Sequence, residues 1–490
     1  MKNTIKFICT AFICTSLLAG CSKWLDVQPV DQISDEKLFA DADGFRNAIN
    51  GLYQQMSSGS LYGRELTWGI NSVLAQDYTA ANLTTPLARV ANYDFTSNAA
   101  LISQISSTWS TAYNTIANAN KIIHAIQDKD ASFFPLGSAE RNLILGEAMA
   151  VRGLLHFEML RLFAPAPVDD PNGKYIPYQD AYPTLVSVPI ATSEVISKVV
   201  SDLETAAVLV AEHDTLSTNN RTVMSSKLQS LLTGSNTPKG GLFFNFRLHR
   251  MNYVAIHGFL ARVHLYAGDR ANAKKEAEYM YKEFGPAGRL KWWAFTPESQ
   301  TSGPNKYHKL VNDVIMACYD PNFPSNLNTY RQNFYTFKLN TPVLNVLYPS
   351  GDRDNRLNLI NRTTDISDKW LQSTSTSQYV PQQNFIMPVL RMSEMYYIYA
   401  ECLFEEGNTT DALRVLNEMR YARGKVTTFS STDRDDFYDE LFNEIHKEYM
   451  EEGQTVFAHK RLKRDIVVGA QRIPIDNKFV LPIPDGEKIF

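Results

Sequence analysis

Cysteine is scarce in this chain, with five in 490 residues, and their placement excludes more than it offers. Cys9, Cys14 and Cys21 crowd the N-terminal end. That leaves Cys318 and Cys402, which form neither a CxxC pair nor a zinc spacing, so a disulfide-stapled scaffold is excluded. One disulfide between these two, or two buried free thiols, are both open. A basic excess is missing too. Lys and Arg number 48 against 52 Asp and Glu, a formal charge of -4, and a phosphate-binding face needs clear positive excess, so nucleic acid is not an expected partner. Beyond Leu18 no apolar run is long enough for a membrane helix. No GxSxG, P-loop, Rossmann fingerprint or HExxH is present, and the expectation is that the chain is not an enzyme.

What is present starts at the N-terminus. Lys2 and Lys6 precede an apolar stretch from Phe7 to Leu18, too short to span a bilayer. It runs into Leu18-Ala19-Gly20-Cys21, the small-residue pattern that a lipoprotein peptidase cuts before the cysteine. Residues 1–20 therefore read as a lipoprotein signal peptide, with Cys21 lipidated through sulfur and amine. Two or more acyl chains make such an anchor stable. Residues 21–35 read as the lipidated tether.

The remainder has ordinary globular composition, 44% hydrophobic, and is rich in aromatics at 11%. Phe45, Ile49, Leu52, Tyr53 and Met56 fall at helical spacing and predict a first amphipathic helix, with Ser34 or Asp35 as an upstream cap. Residues 57–97 break into an irregular segment punctuated by Gly59, Gly63, Gly69 and Pro86. Helical periodicity returns through Trp109, Tyr113, Ile116 and Ile123, then from Leu143 to Phe163 until Pro165 and Pro167 stop it, and again from Ser193. Two helix pairs follow, 251–266 with 271–284 and 391–405 with 409–423, each joined by a short Gly-containing turn. Such pairs have tetratricopeptide size and bury both faces only by stacking. The fold class expected is mainly α, with tetratricopeptide-like pairs in a right-handed superhelical scaffold. The expected organisation is an N-terminal helical-repeat region at 36–285 and a C-terminal region at 286–490. The latter divides into a loop-rich stretch (286–388), a helical stretch (389–465) and a closing segment (466–490).

The order of motifs across these elements resembles the SusD/RagB family of nutrient-uptake lipoproteins. The resemblance rests on Cys21-Ser22-Lys23-Trp24-Leu25-Asp26 with Pro29, Asn50-Gly51-Leu52-Tyr53, and Trp109 to Asn120. Gly146-Glu147-Ala148, Arg152, Asp202-Leu203 and Leu260-Ala261-Arg262 continue it. So do Arg391, Glu394, Ala400-Glu401, Arg420, Arg423-Gly424 and the ending Leu481-Pro482-Ile483-Pro484. The chain departs from the family where Ala164 replaces a usual Gly. After Glu452-Gly453-Gln454 the usual Arg, Trp and Asp are also replaced, which marks a divergent branch. The resemblance implies a glycan or oligosaccharide ligand, or in a minority of members a peptide. It also implies a SusC-like TonB-dependent outer-membrane transporter as partner, with the chain anchored by lipid at the cell surface. A surface glycan-degrading enzyme and a scaffold that binds only proteins are the rival readings.

Sugar rings pack their C–H faces on aromatic rings while amides and charged groups take their hydroxyls, so aromatics in loops are where contacts are expected. The candidates are Trp68, Asp77, Tyr78, Asn82 and Arg89 in the first irregular segment, and Trp292, Trp293, Tyr319, Tyr330 and Arg331 in the second. Burial as loop anchors competes for each, since large aromatics are buried on average. Trp292 or Trp293 is expected to face a common pocket with an aromatic of residues 62–93. Trp109, Tyr113, Phe157 and Tyr266 sit on apolar stripes and read as core. His249, His257 and His264 are spaced too widely to share a metal ion. Glu401, Glu405, Glu451 and Glu452 read as charges facing water. No cofactor is expected. A structural calcium is left open by Asp41-Ala42-Asp43-Gly44, which lacks the remaining ligands of a calcium loop, and by Asp169-Asp170 with Asn172-Gly173.

Overall fold

A computed structural model describes residues 35–184, 186–216, 241–332, 337–377, 379–475 and 479–488. Cys21, expected to carry the lipid, and the expected tether as far as Ser34 lie outside the described residues. The protein is mainly helical. Its first long helix, α1 (Ala42–Met56), is capped by Asp41, whose carboxylate accepts from the Gly44 N–H at 2.9 Å. Asp41-Ala42-Asp43-Gly44 therefore opens a helix rather than a calcium loop. Asp35 starts a separate single turn, Asp35–Leu38, instead of capping α1. The buried stripe of α1 is Phe45, Ile49, Leu52 and Met56, as its spacing predicts.

Next come α2 (Ala99–Gln127), α3 (Ser138–Phe163) and α4 (Thr192–Ala211), then the pair α5 (Tyr253–Tyr266) and α6 (Arg270–Glu283). Helix α3 stops two residues before Pro165. Asn98, Asn252 and Asp269 cap α2, α5 and α6 by accepting from a backbone N–H three residues on. Each helix packs on the next, α1 on α2 through to α6. Strand β1 (Val314–Tyr319), helix α7 (Phe323–Gln332) and strand β2 (Ile386–Arg391) then interrupt the series. It resumes with the late pair α8 (Met392–Glu405) and α9 (Thr409–Ala422), α8 packing on α6. Helices α10 (Arg434–Tyr449) and α11 (Thr455–Leu462) close it. β1 and β2 pair antiparallel with Cys318 opposite Met387 and Tyr319 opposite Ile386, and only Tyr319 of the two strands reaches the surface. Gly258 of α5 lets β2 approach, since a Cβ there would lie 2.6 Å from Leu390.

Trp109, Phe157 and Tyr266 are core, as expected, and Tyr113 packs half-buried against them. Residues 57–97 are more ordered than their punctuation suggested. Short helices at Ile70–Leu74 and Thr85–Ala91 join tight turns, and Leu61, Tyr62, Leu66, Trp68, Tyr78 and Leu87 are buried. Cys318 and Cys402 are buried free thiols.

The polar motif residues that carried the family resemblance turn out to be buried ion pairs. Arg152 donates twice to Asp202 at 2.7 and 2.5 Å, and Arg262 donates to both Glu394 oxygens at 2.7 and 2.6 Å. Glu147 takes Arg247 and Arg250. Arg391 holds Glu452, and Arg423 bridges Asp313 and Glu448. Glu401 holds Arg461 at 2.6 and 2.7 Å. The expectation that Glu401, Glu451 and Glu452 face water is thus corrected: all three are buried. Burying a charge is costly unless a partner and hydrogen bonds come with it, so each such position tolerates little besides its own residue type. Gly453 is fixed for another reason. Its φ is +72°, and a Cβ would lie 2.2 Å from the Leu66 carbonyl oxygen.

Candidate functional site

A large cavity of about 1510 Å³ is an open cleft between α1, residues 242–250 and the turn after β1. From α1 come Asp43, Asn47, Asn50 and Gln54, spaced four, three and four residues apart and hence one stripe of the helix. That stripe is the face opposite the buried Phe45, Ile49 and Leu52, so the amphipathic pattern that seats α1 also turns its amides into the cleft. Phe243, Phe246, His249 and Tyr319 also line it, with Asp320, Asn322 and Gln382. The His249 ring stacks near Phe246 at 6.3 Å and near Tyr319 at 5.0 Å, and Tyr319 lies 6.0 Å from Phe385. Rings and amides therefore line the same cleft.

The floor of the cleft is rigid because a buried charge cluster lies beneath it. Arg247 donates to both Asp214 oxygens at 2.8 Å and also reaches Glu147. Arg250 donates to Glu147 at 2.8 Å and to the Asn50 side chain at 2.5 Å. Tyr53 donates to Glu147 at 2.7 Å and accepts from the Met251 N–H at 2.9 Å. The Asp214 carboxyl would be raised by burial, but Arg247 and His213 outweigh that and hold it down to about 2. Burial pushes the His249 imidazole down to about 4, so it is neutral at physiological pH. Phe246 has φ +57° and ψ +38°, a left-handed conformation that costs a bulky residue roughly 1–3 kcal/mol. The neighbouring Arg247 cluster fixes the chain on its C-terminal side. The two guanidiniums lining the cleft already have partners, Arg46 with Glu140 at 2.6 Å and Arg250 with Glu147. The cations of the cleft are thus matched, which leaves amides, rings and the Asp320 carboxylate to meet a ligand.

Of the residues expected from sequence, Tyr319 lines this cleft and is 39% exposed. Tyr330 and Trp68 line a smaller neighbouring cavity of about 60 Å³ that shares Ser57 and Asp320 with it. There Trp68 is buried, its indole N–H donating to the Gly63 carbonyl at 3.0 Å, and Tyr330 lies beneath the Arg64 guanidinium at 4.7 Å. Asp77 and Tyr78 are corrected to core positions. The Asp77 carboxylate pairs with the His446 ring at 2.9 Å and accepts the Glu451 N–H at 2.8 Å, and Tyr78 packs edge-on against Phe337. Trp293 is likewise buried, its N–H donating to the Val314 carbonyl at 2.8 Å. Trp292 is half-buried against Phe284, and neither tryptophan lines this cleft. Asn82 and Arg89 lie on short helical turns away from the cleft, Arg89 exposed and 3.4 Å from Asp94. Arg331 falls near the end of α7.

Sequence reasoning missed the α1 amides and residues 242–250. The signal for the first was present in the 3.6-residue period of Asp43, Asn47, Asn50 and Gln54, opposite the apolar stripe. For the second, the cluster Phe243, Phe244, Phe246 beside Asn245 was a visible cue. The three histidines have separate roles: His257 meets Glu276 at 2.6 Å, His264 meets Asp269 at 3.1 Å, and His249 lines the cleft. Among the described residues no group of three or more His, Cys, Asp or Glu side chains is placed to hold a metal ion. No helix among them is long and apolar enough to cross a membrane.

Comparison with known proteins adds three findings. The family model described as SusD family matches residues 216–469, and a second, described as starch-binding associating with outer membrane, matches residues 23–225. A SusD-like protein of Formosa agariphila is 26% identical over 175 residues, 34% of this chain. The match spans only 31% of that relative's length. Among solved structures, a SusD superfamily protein from Bacteroides thetaiotaomicron has 22% identity and a TM-score of 0.70, covering 91% of this chain and 97% of that one. A structure described as a SusD-like carbohydrate binding protein from Bacteroides vulgatus has 17% identity and a TM-score of 0.66, covering 91% and 96%. At these identities the structures speak to the fold.

Proposed function

The chain belongs to the SusD family, and from that premise we propose that it is a cell-surface binding lipoprotein of the outer membrane that captures a glycan in the cleft facing α1. The lipid anchor would be Cys21, and the recipient of the glycan a SusC-like TonB-dependent transporter. The helix pairs would act as a tetratricopeptide-like superhelical frame. One observation carries the reading: an amide stripe on α1 and a group of rings line one open cleft of about 1510 Å³. Rings cover the C–H faces of a sugar while Asn47, Asn50 and Gln54 take its hydroxyls. The paired Arg46 and Arg250 hold the floor.

The test is a glycan array with the purified full-length lipoprotein in detergent, followed by calorimetry on the hits. The expected result is saturable glycan binding without turnover in a reducing-sugar assay. Retention of peptides and no glycan would overturn the ligand class, and measurable turnover would replace capture with hydrolysis. Two further measurements address anchoring and partner. Cys21→Ala is expected to move the protein from the membrane to the soluble fraction, and the wild-type lipoprotein is expected to co-purify with a transporter barrel.

A further inference from the structure

Two arginines and two aspartates line the cleft beside α1, and their charges are unequally matched. Arg46 commits its Nε to Glu140 at 2.6 Å and its Nη1 to Asp43 at 2.9 Å. Arg250 commits both terminal nitrogens, one to Glu147 and one to the Asn50 side chain, and its guanidinium lies over the Phe243 ring at 4.3 Å. Beneath them Arg247 is shared by Asp214 and Glu147, all three side chains closed to solvent. Burial would raise the Glu147 carboxyl, but Arg250 and Arg247 outweigh it and hold it below the usual range, so it keeps its charge. His249 is neutral at physiological pH and adds no positive charge.

Asp320 has no such partner. One of its oxygens accepts the Asn322 N–H at 2.8 Å and the other lies 3.4 Å from the Asn326 amide nitrogen. No cation pairs with it among the described residues. Taking walls and floor of the cleft together, Asp43, Glu140, Glu147, Asp214 and Asp320 stand against Arg46, Arg247 and Arg250. The described residues therefore carry a negative excess, which a protonated His213 beside Asp214 would reduce but not cancel.

To pair with a uronate carboxylate or a sulfate, Arg46 or Arg250 would have to leave a buried carboxylate unmatched, which is costly. Asp320 would repel the same ligand. A sugar hydroxyl stands in the opposite relation to Asp320: it donates to the carboxylate, and hydrogen bonds to an ionised acceptor are stronger than neutral ones.

We propose that the cleft selects glycans free of carboxylate and sulfate groups, and that Asp320 sets this preference by accepting hydroxyl protons from an uncharged sugar and repelling an acidic one. The selectivity rests on the cleft being the capture site.

The test scores a glycan array by charge class, using the full-length lipoprotein. Uncharged glycans should be bound, with uronate-bearing and sulfated ones absent or weaker. Acidic glycans bound as tightly as uncharged ones would overturn the selectivity and leave capture standing, whereas binding of no glycan at all would overturn capture itself. The strongest uncharged hit with a free C6 hydroxyl is then compared with the same glycan oxidised at C6 to the uronate. The oxidised form should bind about tenfold more weakly at low salt, and the gap should narrow as ionic strength rises, because salt screens the repulsion. A gap indifferent to salt marks a lost hydroxyl contact instead of repulsion and sinks the proposal. Asp320→Asn can keep the bond to the Asn322 N–H while losing the charge, and should shrink the gap about three- to tenfold. A gap the same in variant and wild type would take that role from Asp320.

Discussion

The Arg391 guanidinium closes on the Glu452 carboxylate through two hydrogen bonds of 2.7 and 2.6 Å, joining the end of β2 to the turn between α10 and α11. Arg391 also donates to the Lys309 carbonyl at 2.7 Å and stands 3.3 Å from Asp313, which Arg423 holds from the C-cap of α9. This knot fastens the loop-rich stretch to the late helices. Arg391→Met would leave Glu452 with only Lys369 at 2.8 Å and free two carbonyls. Breaking one side of a buried pair costs about 3–5 kcal/mol. Urea unfolding should show that loss, and a change below about 1 kcal/mol would mean that the pair is solvated.

Buried carboxyls set the response to acid, among them Glu444, whose partner Arg356 joins this knot through Glu448. Burial alone would raise the Glu444 carboxyl, but Arg356 and Lys447 outweigh it and hold the group down to about 2. Asp214 is also held at about 2, beneath the cleft. A carboxyl whose folded value lies below its unfolded one stabilises the fold above the unfolded value, about 4.5 for Glu, and that contribution is lost as pH falls toward the folded value. Stability should therefore decline between about pH 4.5 and pH 2. The difference in urea midpoint between wild type and Glu444→Gln should shrink over that range. A difference constant with pH would show that Glu444 is not held ionised by its partners.

How much of this was legible beforehand divides along physical lines. Helices α5, α6, α8 and α9 were read to within a residue or two because short Gly-containing turns and apolar periodicity act locally. The buried pairs were legible only as residue types in a familiar order. Nothing in the sequence says that Glu401 faces Arg461 across 60 residues, and isolated helical glutamates do face water. Aromatics in punctuated segments misled for a related reason. Gly63 and Pro86 mark turns, but turns do not say which side of the chain faces solvent, and Trp68 and Tyr78 turned inward. Asn50 and Gln54 were hidden by ordinariness, since polar residues on the outer face of a helix ask for no explanation until a second element stands opposite.

The two core cysteines give a direct check on burial. Burial pushes the Cys402 thiol up to about 12, and Cys318 is raised well above the ordinary range for the same reason. The thiolate is the reactive form, and at pH 8 a thiol of pKa near 12 is ionised to about one part in ten thousand. The native protein should therefore leave a thiol reagent unconsumed over minutes. Guanidinium unfolding should release two thiols. Rapid native labelling would contradict the buried placement, and a third thiol after unfolding would show Cys21 unacylated.

Tyr319 and Trp293 separate a contact from an anchor. The Tyr319 backbone is held independently of its ring, through the β1–β2 pairing and the Ser57 hydroxyl that donates to its carbonyl at 2.9 Å. Its side chain is partly exposed on the cleft wall, so Tyr319→Ala removes a platform and leaves the frame. A sugar ring stacked there is worth about 1 kcal/mol, so glycan affinity should fall about five- to tenfold with Tm almost unchanged. Trp293→Ala should do the reverse. It empties a buried site and frees the Val314 carbonyl, costing about 3–5 kcal/mol, while the fraction that remains folded binds glycan as wild type does. Calorimetry and thermal unfolding on both variants test the pair together. If Trp293→Ala weakens binding while Tyr319→Ala leaves it intact, the cleft beside α1 is not where the ligand sits.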